Sequence, residues 1–222
     1  MTEREVPSVD GLVIGILGGT GDQGRGLAFR FARAGHPVII GSRTAERAQG
    51  IAEQVGHQVQ GMANRETAAA ADVVIAAVPF DGHRDLLASL APELAGKIVI
   101  DCVNPLGFDQ RGAYQLPVPE GSAAEQAAAL LPESRVVAAF HHVSAVLLLD
   151  PEVDSIDLDV MVLGDDREAT DQVQALAARI PGVRGVYAGR LRNCGQVEAL
   201  TANLVSINRR YKAHAGIRIT DI

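Results

Sequence analysis

The pattern Gly19-x-Gly21-x-x-Gly24 directly follows an apolar run at residues 12–17 and opens a helical pattern at 23–34 that Gly35 ends. Strand, glycine turn and helix in this order restrict the chain more than any other feature it carries. Gly19 is expected to permit the tight turn, Gly21 to let the backbone approach a pyrophosphate, and Gly24 to let helix and strand pack closely. The first N–H groups of such a helix, around Asp22 and Gln23, have no intrahelical partner and bind phosphate readily. Thr20 and Gln23 are expected to add side-chain hydrogen bonds.

The alternation of short apolar runs with helical patterns continues along the chain. Strands are expected at 37–41, briefly at 57–61, at 72–78 before Pro79, at 97–103 before Asn104-Pro105, and at 135–140. Helices are expected at 44–55 and from Ser122, where Glu125 stands three residues on, the spacing of a capping box. Residues 107–121, rich in Gly and Pro, read as a loop. Beyond His141 the pattern loosens. A strand at 158–163, a helix at 165–180 and a strand at 183–187 would add one more βαβ unit. A last helix at 195–212 has apolar Val197, Leu200, Leu204, Val205 and Ile207, a face fit to dock on the main domain or on a second subunit. The expected fold class is α/β, a Rossmann-type doubly wound, mainly parallel sheet with a small C-terminal helical segment or domain. Residues 1–10 read as a flexible polar tail, 11–145 as the dinucleotide-binding domain, and 146–222 as the C-terminal region. A boundary near 190, with the sheet extended that far, is the alternative.

The 222 residues, 47% hydrophobic, suffice for a full α/β core. A net charge of −7, 4% aromatics and no Trp argue against nucleic acid as a partner. No run of 18 apolar residues exists to span a membrane, and the first residues lack the apolar core of a signal peptide. Cys102 and Cys194 form no CxxC pair, and a reduced, cytoplasmic chain is expected. The six histidines show no ligand spacing with acids or cysteines, so no metal site is expected. Charge is uneven: residues 190–222 hold six basic side chains against two acidic ones, whereas the rest holds 14 against 25. The basic end either attracts an anionic ligand or forms a solvated face or subunit rim.

An NAD site ordinarily ends its second strand with Asp or Glu, which accepts the ribose hydroxyls. Here that strand ends Ile40-Gly41-Ser42-Arg43-Thr44. Ser42 and Arg43 are suited to a ribose phosphate instead, so NADP(H) is the expected dinucleotide. Arg47, one helical turn on, is either the second jaw of the clamp or a plain exposed helix residue. Ligands of open parallel sheets lie at the carboxyl ends of the strands, so Val78-Pro79-Phe80 and Asn104-Pro105 should border the nicotinamide half, with a core position as the alternative for Phe80. His141 falls near the expected hydride site, as a possible catalytic group or as a wall residue. Carbonyl reductases must protonate an alkoxide, yet the chain has only Lys97 and Lys212 and no Tyr-x-x-x-Lys pair. Hydride transfer between two carbon centres needs mainly alignment, with atoms about 3–3.5 Å apart. An NADP-dependent reductase of a small imine, carbonyl or metal-bound substrate is the alternative, and it predicts a buried acid near His141.

The segments Leu17-Gly18-Gly19-Thr20-Gly21-Asp22-Gln23-Gly24, Gly35-His36 and Gly41-Ser42-Arg43 strongly resemble the F420-dependent NADP reductases. The likeness continues through Val78-Pro79, Asn104-Pro105, Phe140-His141, Arg192-Asn193 and Glu198-Ala199-Leu200-Thr201, and spans the chain from Leu12 to Ile217. The resemblance implies reversible hydride transfer between C4 of NADP(H) and C5 of the deazaflavin coenzyme F420, in a homodimer. It implies that Thr20, Gly21, Asp22 and Gln23 bind pyrophosphate and that Ser42, Arg43 and Arg47 bind the ribose phosphate. Val78, Asn104 and Ala145 would line the nicotinamide, Val143, Asn193 and Thr201 would belong to the cofactor-binding set, and Ala215 would touch the deazaflavin. The acidic tail of F420 suits the basic C-terminal segment. The chain departs from the pattern at Phe80, where a relative carries Trp, and at Gly82-His83, where that relative has His one position earlier.

Overall fold

Runs such as Val73-Val74-Ile75-Ala76 and Ile98-Val99-Ile100 are apolar without alternation, and their side chains are buried on both sides. That is the pattern of strands covered by helices on both faces. A computed structural model describes residues 7–222. Its elements are β1 (Ile14–Leu17), α1 (Asp22–Arg33), β2 (Val38–Ser42), α2 (Ala45–Val55), β3 (Gln60–Ala63), α3 (Asn64–Ala70), β4 (Val73–Ala76), α4 (Phe80–Leu94) and β5 (Ile98–Asp101). A hairpin follows, β6 (Leu106–Asp109) and β7 (Gly112–Gln115), then α5 (Ala123–Leu130), β8 (Arg135–Ala138), α6 (Ala145–Leu149), β9 (Leu158–Gly164), α7 (Arg167–Ala177), β10 (Val183–Gly189) and α8 (Cys194–Tyr211).

Eight strands form one sheet in the order β10-β9-β8-β5-β4-β1-β2-β3. The six strands from β3 to β8 are parallel. The expected extra βαβ unit is present, since β9 and β10 are parallel, but β9 meets β8 antiparallel and the unit runs against the rest. Alternate residues divide between two cores, one on each face. Ile14, Ile16, Ile75 and Ile100 pack with Leu27 and Phe31 of α1 and Val173 of α7. Leu17, Val74, Ala76 and Val99 pack with Leu87 and Leu90 of α4, Ala127 of α5 and Val197 of α8.

Several expectations shift. Residues 107–121, expected as a loop, contain the β6–β7 hairpin, with Gly112 at φ +119° at its turn. The short strand expected at 57–61 begins only at Gln60, because His57 and Gln58 both adopt left-handed backbone. Of the stretch 1–10 expected as a polar tail, residues 1–6 lie outside the described residues. Val9 is buried in the core and Asp10 pairs with Arg179. Neither α3 nor α4 follows from the glycine turns and apolar runs read above; α4 begins after Pro79 and contains Pro92, yet buries His83, Leu87, Leu90 and Leu94 along one face.

Arg30 ties α1 to α6 and the loop after it. Arg30, 2% exposed, donates to the carbonyls of Leu147 (2.5 Å), Leu148 (2.9 Å), Asp150 (2.9 Å) and Val153 (2.6 Å). The first turn of α6, which carries Ala145, is thereby held against the helix that follows the glycine turn.

Candidate cofactor cleft

β1 has β2 on one side and β4 on the other, so the connections beyond their carboxyl ends diverge and leave a crevice. A cleft of about 660 Å³ lies there, and its lining includes Gly18, Thr20, Gly21, Ser42, Arg43, Arg47, Val78 and Pro79. The glycine turn and the end of β2 are therefore brought together as expected. The left-handed position of the turn is Gly18, at φ +64°, rather than Gly19. Asn64, at the start of α3, accepts the Gly18 N–H at 3.2 Å and also lines the cleft; the sequence reading missed it, although Asn before an Ala-rich helix was the available signal. Gly21 caps α1 without any side-chain acceptor, and a Cβ there meets nothing within 4 Å. Open space in front of free helix N–H groups is what a pyrophosphate needs.

Gly24 has the opposite environment. A Cβ there falls 2.6 Å from Gly19 Cα, a backbone atom that cannot turn aside. Gly24→Ala is expected to push α1 off the turn, lower stability by about 1–3 kcal/mol and weaken NADP(H) binding at least tenfold. Denaturant unfolding and a nucleotide titration check both effects.

Thr44 caps α2, its Oγ1 accepting the Arg47 N–H at 3.4 Å. Arg43 then precedes the helix and Arg47 sits in its first turn, with Ser42 buried at the strand end. Both arginines are exposed and form no ion pair among the described residues. Asp85 of α4 is the one carboxylate among the lining residues. Asp22 is exposed and pairs with Arg25 at 3.7 Å. Gln23 points away from the expected phosphate, its Nε2 donating to the Phe140 carbonyl at 3.1 Å. Phe140 holds left-handed backbone, φ +65°, an uncommon state for an aromatic residue and one found at functional sites.

A second group meets beyond β5 and β8. Asn104 Nδ2 donates to the His141 carbonyl at 2.8 Å, and Thr201 Oγ1 lies 3.3 Å from both that carbonyl and Asn104 Oδ1. Pro105 is buried beside them in sequence. Val143 is buried in the core, whereas Ala145 is half-buried at the start of α6. Ser144 Oγ lies 3.4 Å from His214 Nδ1, which brings the segment holding Ala215 to this edge. Asn193 is exposed and stands next to Gly189, and no hydrogen bond among the described residues joins it to the Asn104–His141 corner.

Phe80 is half-buried and stacks on His83, with centroids 6.3 Å apart. His83 itself turns into the protein. Its Nε2 lies 2.6 Å from Asp101 Oδ2 and its Nδ1 lies 3.0 Å from Gln126 Oε1, all fully or nearly buried. Burial opposes a charge on His83, but the Asp101 hydrogen bond and field, with Gln126, outweigh it and raise the pKa above 6.5. Asp101 Oδ1 also accepts the Val103 N–H at 3.0 Å, so the pair braces the turn that presents Asn104. A raised folded-state pKa means that this stabilisation is complete below pH 6.5 and is lost as pH climbs through the raised value. Unfolding free energy is expected to fall across that window in the native chain and to lose this dependence in His83→Gln, as measured by urea titrations at a series of pH values.

His141 is sealed from the cleft, and burial pushes its imidazole down to about 4, leaving it neutral. The buried acid that the alternative reading requires does exist: Glu198 has an oxygen within 4.8 Å of a His141 ring nitrogen. Glu198 is 1% exposed, however, and accepts the N–H groups of Ala123 (3.0 Å) and Ala124 (3.2 Å) at the start of α5. It caps a helix and does not open on the cleft.

Residues 13–105 match the family model described as NADP oxidoreductase, coenzyme F420-dependent. The F420-dependent NADP reductase of Methanothermobacter thermautotrophicus is 41% identical over 94% of this chain and 95% of its own. This chain belongs to the F420-dependent NADP reductase family. The family's member from Methanocaldococcus jannaschii is 38% identical over 94% of this chain and 98% of its own. A crystal structure from Arthrobacter sp. FB24, of a protein proposed to be an F420-dependent NADP reductase, superposes with a TM-score of 0.81 at 28% identity, covering 95% of this chain and all of that one. As in its sequence pattern, this reductase has no helix among the described residues long and apolar enough to cross a membrane.

Proposed function

We propose that this chain transfers a hydride reversibly between C4 of NADP(H) and C5 of the deazaflavin coenzyme F420, in the cytoplasm and as a homodimer. The observation that carries the nucleotide half is the end of β2, where Arg43 and Arg47 line the cleft and no carboxylate takes the usual place. A ribose 2′-phosphate supplies the partner that both guanidinium groups lack. The N-terminus of α1, with Thr20, Gly21, Asp22 and Gln23 and close packing at Gly19 and Gly24, holds the pyrophosphate, chiefly through backbone N–H groups. Val78, Pro79, Phe80, Asn104, Pro105 and Ala145 border the nicotinamide, while Thr201 and the His141 carbonyl hold Asn104 in place. Val143 supports these segments from the core, and Asn193 is kept in the cofactor-binding set on the resemblance to the family. No catalytic side chain is needed beyond alignment of the two rings. NADP(H) and F420 supply the redox chemistry, and the chain's residues supply orientation.

The deazaflavin half rests on family membership and on charge. Of the six basic residues at 190–222, Arg190 pairs with Asp165 and Arg218 with Asp157 and Asp159. Arg192, Arg209, Arg210 and Lys212 are exposed and form no ion pair among the described residues. They suit an acidic phosphoglutamyl tail, with Ala215 at the ring. Phe108, Tyr114, Ile207 and Tyr211 are exposed on the β6–β7 hairpin and α8, and a second copy covers them. Light scattering is expected to return twice the chain mass; a monomer at micromolar concentration would exclude the dimer.

The test of function is exchange with the stated partner. NADPH plus F420 should lose deazaflavin absorbance, NADP plus reduced F420 should regain it, and NADPH with a cyclic imine or ferric chelate should show no turnover. Oxidation of NADPH by the imine or chelate without F420 would favour the alternative.

A further inference from the structure

Cys194 and Glu198 stand four residues apart at the start of α8 and share a face. That face meets His141 beyond the end of β8. One ring nitrogen of His141, Cys194 Sγ and a Glu198 oxygen all lie within 4.8 Å of one another. All three side chains are buried, with His141 4%, Cys194 0% and Glu198 1% exposed. Neither ring nitrogen of His141 has a hydrogen-bond partner. Native structures leave few buried polar atoms unpaired, and each one points to something missing. Asp101 and Glu198 place two carboxyl groups in this interior.

We propose that His141, Cys194 and Glu198 bind one divalent transition-metal ion, zinc above all, which fastens α8 to the end of β8. Thiolate, neutral imidazole and carboxylate are the donor types of zinc sites, at about 2.0–2.3 Å, and a thiolate disfavours magnesium and calcium. Cys194 gives up its proton on binding, so that thiolate and carboxylate together offset the ion's two positive charges. The fourth position of a tetrahedral ion is left to a water. Sequence spacing hid the site because His141 lies 53 residues before Cys194; the Cys-x-x-x-Glu step on α8 was the only local sign. The site is independent of which substrate the cleft takes.

The test uses untagged, chelator-stripped protein titrated with Zn²⁺ and with Co²⁺. Gel-filtered protein should retain about one metal per chain, as one three-ligand site requires. The cobalt form should show the near-ultraviolet thiolate-to-metal charge-transfer band, and binding should release a proton and raise Tm. Glu198→Gln should weaken binding at least tenfold while keeping the band, and Cys194→Ala should abolish both band and retention. If Cys194→Ala does not fold, the cobalt spectrum of the native chain decides alone. Substoichiometric retention, a native cobalt spectrum without the thiolate band, or equal zinc retention by Cys194→Ala would overturn the proposal.

Discussion

Arg43→Ala should raise KM for NADP(H) by about 10- to 100-fold, since a hydrogen bond to a charged group contributes about 1.5–3 kcal/mol. KM for NAD(H) should stay within about twofold, because the lost contact is to a phosphate that NAD lacks. Arg43 leaves the end of β2 into the cleft, the Thr44 cap fixes the turn that follows, and Arg43 forms no ion pair among the described residues. An arginine folded onto the protein's own carboxylates would show a different result, an equal loss for both nucleotides together with lower stability. Arg43→Lys should recover part of the preference, because a point charge replaces a fork that binds two oxygens at once. Steady-state kinetics with the four nucleotides separate these outcomes.

Arg30→Met should cost about 3–5 kcal/mol of stability, since several carbonyls lose their donor at about 1–3 kcal/mol each where they stay out of water. For a chain of this size that is roughly a 10 °C fall in Tm. Methionine fills much of the same volume, so lost packing is not the cause. The cost comes from the carbonyls of Leu147, Leu148, Asp150 and Val153, which all lose the donor group of one guanidinium. Because those carbonyls belong to α6 and the loop after it, the variant should also loosen Ala145 and Ser144. Calorimetry and hydrogen exchange at 145–153 measure the two effects. A Tm within about 2 °C of the native chain, corresponding to less than about 1 kcal/mol, would show that water satisfies these carbonyls as well as Arg30 does.

Much of the sheet was legible because its strands are short β-branched runs between glycine turns and prolines, and the glycine turn named its own ligand. The N-cap at Ser122, whose Oγ accepts the Glu125 N–H at 3.0 Å, was readable from spacing alone. Other features were not. Helix α4 begins after Pro79 and contains Gly82 and Pro92, residues that ordinarily punctuate a helix, so burial of Leu87, Leu90 and Leu94 had to override local preference. The reversed direction of β9 leaves no mark on its composition, since only packing beside β8 sets it. At the cleft, Ser42, Arg43 and the turn residues were found by position along the chain. The side-chain commitments were not: Gln23 serves Phe140, His83 serves Asp101, and Asn64 reaches Gly18 across 46 residues. Long-range hydrogen bonds of this kind have no period, so no sequence window displays them.

The proposed reaction is direct transfer of one hydride between two carbon atoms held face to face. Reduction of F420 by NADPH deuterated on the transferring face of C4, run in ordinary water with catalytic amounts of this chain, tests it most directly. Deuterium should appear at C5 of the reduced deazaflavin in full, with none lost to solvent. Reduced deazaflavin with two protium atoms and no deuterium at C5, or no reduction at all while NADPH is bound, would contradict the account.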